Sequence, residues 1–491
     1  MFKFFKFQCR KISAILLALA VLIIASGCSG NSDYAPVDDS GSHVASANIN
    51  WDFYNTIATE FITAVASGDY NMAVSTFNEA MTQGFGASGL QEAWGDIVAL
   101  SGEFVEIYGI ENAAHDGYFI SGVILRHTNF GFGWNVVFSE EGVIHGLSAG
   151  GTIPLSALTA YTLRSPTVTA RDGFTEYSII IGENTDFPIN GILSMPDDNA
   201  EPLPAVVIVH GSGAHDMDGT IHGNKPYRDI ADFLASNGIA VIRHDKRTFA
   251  HGARFADELG GSGTVWHESI EDAISAAEML RADPRVDENR VFIVGHSLGG
   301  VLAPRIHANG GNFAGLVLMA ATPRNLLDIF VEQIEAQIHS NLDEGLIGEA
   351  AKTAMLADLD VLAEIFNSVA HMTIEEARKT HIAQLNTWAY YWKDMLLHPF
   401  EDYAKAVTVP ILVMQGSLDF QVLADVDFVL LQELFANHDN VTFKLYEDLN
   451  HMFMTTTAEN FAQHAEGIIQ SPGYVDYRVL RNIVEWVLGV Q

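Results

Sequence analysis

The sequence predicts an α/β protein: a mostly parallel, doubly wound sheet with a helical insertion, preceded by a smaller α+β unit. Three observations carry this. From about residue 205, short apolar runs rich in β-branched residues alternate with helical periods, the pattern of a sheet covered by helices on both faces. Between about 324 and 400 only helical periods occur, and then the alternation resumes. Before residue 150 the order differs: helical periods first, then four short strands.

The chain has 491 residues, 48% of them hydrophobic, enough for a large core and more than one domain. Its formal charge is −35. Lys3, Lys6, Arg10 and Lys11 precede residue 28 with no acid among them, so the remainder is more acidic still. Such a surface is a poor electrostatic partner for nucleic acid. Cys9 and Cys28 are the two cysteines, so the rest of the chain forms neither an internal disulfide nor a thiolate metal site. No H-E-x-x-H or similar metal-ligand spacing occurs among the 19 histidines.

The basic start leads into an apolar run over 12–24, the length of a signal peptide and short for a membrane span. Ala25-Ser26-Gly27-Cys28 follows. Small residues before a cysteine at this place resemble the bacterial lipobox, with Ala25 where leucine is usual. The resemblance implies lipidation of Cys28 and an exported protein tethered to the extracytoplasmic side of a bacterial membrane. The alternatives are an ordinary signal peptide and an uncleaved anchor. Residues 1–28 are expected to be the signal segment, and 29–46, rich in Gly, Ser, Asn and Asp, a flexible tether.

A small domain is expected over 47–150. Trp51, Tyr54, Ile57, Ala58, Phe61, Ile62 and Val65 recur at helical spacing. Gly68-Asp69 stops that helix and starts a second over 70–81. A third over 89–100 places Leu90, Trp94, Ile97 and Val98 on one face. Strands are expected over 104–110, 118–126, 135–138 and 143–147. Trp94, Trp134 and His145 are candidates for lining a concave sheet, but core or rim packing explains them without a ligand. No chemistry is assigned to this domain. Residues 151–171, with Thr, Ser and Pro, read as a linker.

The larger domain is expected over 172–491. A hairpin over 174–181 and 189–195 turns at Asp186-Phe187-Pro188. A strand over 205–209 ends in His210-Gly211-Ser212-Gly213. A helix over 226–237 and a strand over 239–244 lead to Asp245-Lys246-Arg247. A helix over 267–281 stops at Asp283-Pro284.

Next comes a strand over 291–294 and Gly295-His296-Ser297-Leu298-Gly299, the G-x-S-x-G nucleophile elbow. The spacing has a physical reason. Ser297 must sit on a sharp strand-to-helix turn, and side chains at Gly295 or Gly299 would collide with neighbouring backbone. The following helix points its N-terminus at the serine. A strand over 313–320 follows, then helices over 326–338, 348–365 and 374–395, a cap at about 324–400. Trp388, Tyr390, Tyr391 and Trp392 read first as packing and second as a wall facing substrate.

The sheet resumes over 409–414. Asp419 lies just past that strand, where a triad carboxylate belongs, with Asp425 and Asp427 as rivals inside the next helical pattern. After a strand over 441–446 comes His451, whereas His438 lies before that strand. The order Ser297, Asp419, His451 is the Ser…Asp…His order of α/β-hydrolases. The backbone amides of Ser212 and Leu298 are the expected oxyanion donors, with Gly213 next. His210 competes as the base but reads better as a brace for its loop.

Several strings now add a resemblance. His210-Gly211-Ser212-Gly213 with Asp216-x-Asp218, Asn224-Lys225-Pro226-Tyr227-Arg228-Asp229, Arg243-x-Asp245-Lys246-Arg247, Gly295 to Gly300, Gln415-Gly416-x-x-Asp419-x-Gln421-Val422 and Leu449-Asn450-His451 resemble the EstD-like branch of bacterial α/β-hydrolase carboxylesterases. Ala214-His215 and Met217 interrupt the usual wording. The opening helix, Gly-Asp and second helix, with the Leu-x-x-x-Trp third helix, resemble the small domain of unknown function preceding some secreted hydrolases of this fold. That domain is similar in shape to the cone fold of the nuclear transport factor family.

The resemblance implies a serine carboxylesterase acting on small short-acyl esters through an acyl-serine, with no metal and no cofactor. One alternative is a serine peptidase of the prolyl oligopeptidase type, although no propeller-like repeats precede the domain. An aminopeptidase would need a carboxylate pair, for which Asp216 and Asp218 are the candidates. Another alternative is an envelope-tethered binding protein with a vestigial hydrolase. The oligomeric state is not legible.

Overall fold

The computed structural model describes residues 49–153 except 116–117, and 163–490 except 166, 198–199, 222, 383–384, 386 and 471–472. The signal segment, Cys28 and the tether lie outside the described residues. The described residues fall into two compact units, one ending at residue 153 and one beginning at 163.

The first unit opens with α1 (Trp51–Ala66). The single helix expected over 70–81 is instead two, α2 (Tyr70–Val74) and α3 (Glu79–Gly84). Asp69 caps the first by accepting the Met72 amide, and Asn78 caps the second by accepting the Met81 amide. Between them Phe77 leaves the helix to bridge Ile144, which breaks the period. Then come α4 (Gly86–Ser101) and β1 (Phe104–His115), β2 (Tyr118–His127), β3 (Gly131–Phe138) and β4 (Ile144–Ile153), an antiparallel sheet in sequence order. Trp94 and Trp134 are buried and stack at 5.9 Å, with Phe61 edge-on to Trp134 at 5.7 Å. These two are core. His145 is exposed beside Tyr118.

The second unit is built on β5 (Val168–Ala170), β6 (Phe174–Ile181), β7 (Ile189–Pro196), β8 (Leu203–Val209), β9 (Ala240–His244), β10 (Val286–His296), β11 (Leu316–Met319), β14 (Ile411–Gly416) and β15 (Val441–Tyr446). Among the described residues they form one sheet in the order β15-β14-β11-β10-β8-β9-β7-β6-β5. β8, β9, β10, β11, β14 and β15 run parallel, and the β5-β6-β7 edge is antiparallel. Alternate residues of the central strands face opposite layers. Val207, Ile293 and Leu318 pack with α7 (Glu271–Ala282) and α8 (Leu298–Ile306). Ile208, Val294 and Val317 pack with α5 (Pro226–Ala235) and α16 (Tyr477–Gly489). This is the expected α/β-hydrolase fold.

Three local expectations are corrected. A helix α6 (Arg247–Leu259), kinked at Gly252 where φ is 37°, follows β9 where none was expected. The helix expected over 267–281 begins as a π turn, Trp266–Ile270, before α7. The cap contains α9 (Leu326–Asp343) and α10 (Glu349–His371), but the helix expected over 374–395 is broken. There α11 (Ile374–Lys379) starts on a Thr373 capping box and ends at the extended Thr380. A ribbon of β12 (His381–Ile382) and β13 (Thr387–Trp388) follows, then α12 (Ala389–Leu397) and α13 (Phe400–Ala404). Apolar spacing continues through the ribbon, so periodicity alone concealed the break. In the last stretch α14 (Val429–Leu434) precedes β15 and α15 (Phe461–Gln470) precedes α16.

Candidate active site

Ser297 occupies the turn between β10 and α8 at φ 52°, ψ −118°. A non-glycine residue held there stores about 1–3 kcal/mol of strain. The turn is over-determined. The Ser297 amide donates to the Met319 carbonyl at 2.8 Å. A Cβ on Gly295 would meet the Gly299 carbonyl oxygen, and one on Gly299 would meet that of Val209. The flanking glycines are therefore required by close backbone approach.

Asp419 and His451 meet as expected. His451 Nδ1 donates to Asp419 Oδ2 at 2.8 Å. Asp419 is buried; its Oδ1 accepts the amides of Gln421 at 2.8 Å and Val422 at 3.0 Å, and its Oδ2 also accepts Gln415 Nε2 at 3.0 Å. Burial opposes its ionisation. The His451 ring and the two amides outweigh burial and hold its pKa below the usual carboxylate value.

A chain of buried hydrogen bonds ties this dyad to the serine turn. The Gly211 amide donates to the Tyr227 hydroxyl at 3.0 Å. That hydroxyl donates to His296 Nδ1 at 3.1 Å, and His296 Nε2 donates to the His451 carbonyl at 2.8 Å. This tautomer satisfies every member. Burial, then His451, lowers the His296 pKa to about 3, so it stays neutral. The rings of His296 and His451 lie 4.8 Å apart. A Cβ on Gly211 would sit 3.2 Å from Ser297 Cβ, so the loop after β8 lies directly against the serine. The Ser212 and Leu298 amides have no hydrogen-bond partner among the described residues.

The rivals are placed elsewhere. His210 is buried against Tyr227 and His244, each at 5.1 Å, as a brace. Asp427 accepts hydrogen bonds from Thr322, Arg324 and the Leu423 amide, and Asp425 is exposed. His438 packs on Phe435. In the cap, Trp392 packs between Phe330 and Phe366, and Arg378 covers Tyr390. Sequence reasoning missed Tyr227 and His296 as linking groups, although both lie in the strings quoted above. It also missed His464, buried beside Phe420 at 6.0 Å with neither ring nitrogen paired among the described residues. A lone histidine on an amphipathic helix gives no signal.

The sequence is similar to known proteins. The family described as serine aminopeptidase, S33 (Hydrolase_4) matches residues 200–457. The chain is 28% identical over 436 residues to Esterase EstD of Thermotoga maritima, covering 87% of this chain and 94% of that one. Among solved structures, Est1E from Butyrivibrio proteoclasticus is 15% identical, covering 64% of this chain and 98% of that one at a TM-score of 0.38. An esterase from Pyrococcus furiosus is 16% identical, covering 60% and 91% at a TM-score of 0.37. The family match takes in the serine turn, the dyad and the loop after β8, and it spans more than half of the sequence: the chain belongs to the Hydrolase_4 family.

Proposed function

We propose that the protein is a serine carboxylesterase that cleaves short-acyl carboxylic esters, with Ser297, His451 and Asp419 as its triad. The observation that carries the reading is the buried 2.8 Å His451–Asp419 hydrogen bond, joined through His296 to a serine held at positive φ. Asp419 holds the Nδ1 proton of His451, which leaves Nε2 as the base. Ser297 attacks the ester carbonyl as His451 takes its proton. The Ser212 and Leu298 amides receive the oxyanion, and the alcohol leaves with a proton from His451. Water activated by His451 then releases the acid. The similarity to Esterase EstD supports an ester as the substrate.

The family description favours one second reading, an aminopeptidase. Asp216 and Asp218 are poorly suited to bind a substrate amine. Asp218 is engaged by Arg243 at 3.0 Å and Lys225 at 2.9 Å, and Asp216 accepts the Asp218 amide and the Thr220 amide and hydroxyl. Comparing p-nitrophenyl butyrate with aminoacyl p-nitroanilides separates the two. Ester turnover with an acyl group trapped on Ser297 is expected. Preference for the anilides would replace the esterase by a peptidase, and failure of a fluorophosphonate to label Ser297 would favour a vestigial domain.

The proposed setting is a bacterial membrane, with lipidated Cys28 as the anchor. Metabolic labelling with a fatty-acid analogue checks it: label in the natural sequence and none in Cys28→Ser is expected.

A further inference from the structure

The string Arg243-x-Asp245-Lys246-Arg247 takes no part in the proposed reaction, yet its lysine is 1% exposed. A buried ammonium needs partners for its donors and its charge. Lys246 Nζ donates to the Gly211 carbonyl at 2.9 Å and lies 3.0 Å from Glu268 Oε1. Glu268 is equally buried, and its Oε2 accepts the Tyr391 hydroxyl at 2.5 Å. Tyr391 belongs to α12 of the cap. Gly211 belongs to the loop that lies against Ser297. A buried polar chain therefore runs from the cap to that loop.

Peptide geometry gives the chain a direction. In a trans peptide the carbonyl and the N–H point to opposite sides, and none of the described peptides is cis. Fixing the Gly211 carbonyl on Lys246 turns the Ser212 N–H the other way. The rest of the loop is held as well. Gly211 N–H donates to Tyr227, His215 Nε2 donates to the Ser212 carbonyl at 2.6 Å, and the Lys246 amide donates to the His215 carbonyl at 3.0 Å. The Ser212 amide is left open.

We infer that Lys246 is a positioning residue for the oxyanion hole. It aims the Ser212 amide by anchoring the Gly211 carbonyl, and Glu268 and Tyr391 couple that aim to the seating of the cap. The inference rests on the esterase reading and its use of Ser212. An amide aimed in advance stabilises charge that develops only in the transition state. Its loss belongs in kcat rather than KM.

The test uses the full-length chain and p-nitrophenyl butyrate. Removing the lysine alone would strand a buried carboxylate, so the variant is Lys246→Met with Glu268→Gln. The double variant is expected to fold, to lose about tenfold or more in kcat, and to keep KM within about threefold. Its inhibition by a trifluoromethyl ketone analogue, whose adduct carries an oxyanion, weakens by the same factor as kcat/KM. Tyr391→Phe is expected to lower kcat about threefold with KM unchanged. A natural enzyme inactive on esters defeats the underlying esterase reading. An active natural enzyme whose double variant keeps its kcat, or changes KM alone, overturns the role of Lys246. If the double variant does not fold, Tyr391→Phe decides: unchanged kcat and ketone inhibition overturn the inference.

Discussion

Ser297 and its neighbours show what a residue gives up to sit at this turn. At φ 52° and ψ −118° glycine is comfortable and serine is not. Ser297→Gly is therefore expected to be more stable than Ser297→Ala, by about 1 kcal/mol after allowing for the freer unfolded glycine, and to melt at a higher temperature in differential scanning calorimetry. Asp419→Asn would spoil the proposed His451 tautomer without removing its packing. Its kcat should fall about 10⁴-fold with little change in KM, as steady-state kinetics would show. The three triad candidates were legible because each follows a strand at a position its chemistry requires. The groups that join them were not. Tyr227 bonds a residue 69 positions away and His296 one 155 positions away, and such pairs leave no local pattern.

At the scale of elements, the elbow works because β8, β10 and α8 approach within backbone contact. Gly299→Ala would drive a Cβ onto the Val209 carbonyl, where no flexible side chain can yield. It is expected to destabilise the protein by about 3 kcal/mol, read from urea midpoints. Gly95 is the counter-case. It is exposed inside α4 with open space around its would-be Cβ, so Gly95→Ala should stabilise its helix by about 1 kcal/mol. The cap is tied to the helix behind the elbow by Arg305, which reaches Asp394 at 2.8 and 3.3 Å. The central strands were readable from their apolar runs, and 441–446 matches β15 throughout. The helix expected over 374–395 failed because its apolar spacing persists through a two-stranded ribbon.

At the scale of the molecule, buried histidines set the response to acid. Burial holds His215, His244 and His464 at about 4 and His296 at about 3. Unfolded, each titrates near 6.5, so below that pH the unfolded chain binds more protons. Stability present above pH 6.5 is then lost as pH falls toward 4. Asp229 at about 6 and Asp272 at about 7, both raised by burial, act in the opposite sense, and the histidines outnumber them. The melting temperature is expected to be lower at pH 5 than at pH 7, and calorimetry across that range checks it. The fold class was legible because alternating strand and helix periods span most of the second unit. The protonation behaviour was not, since it depends on burial that only the packed structure reveals.

The most direct test of the central claim is hydrolysis of p-nitrophenyl acetate and butyrate by the purified chain and its Ser297→Ala variant. Turnover by the natural sequence and background rates in the variant are the predicted result. No turnover by the natural sequence, or an unchanged rate in Ser297→Ala, would contradict the account.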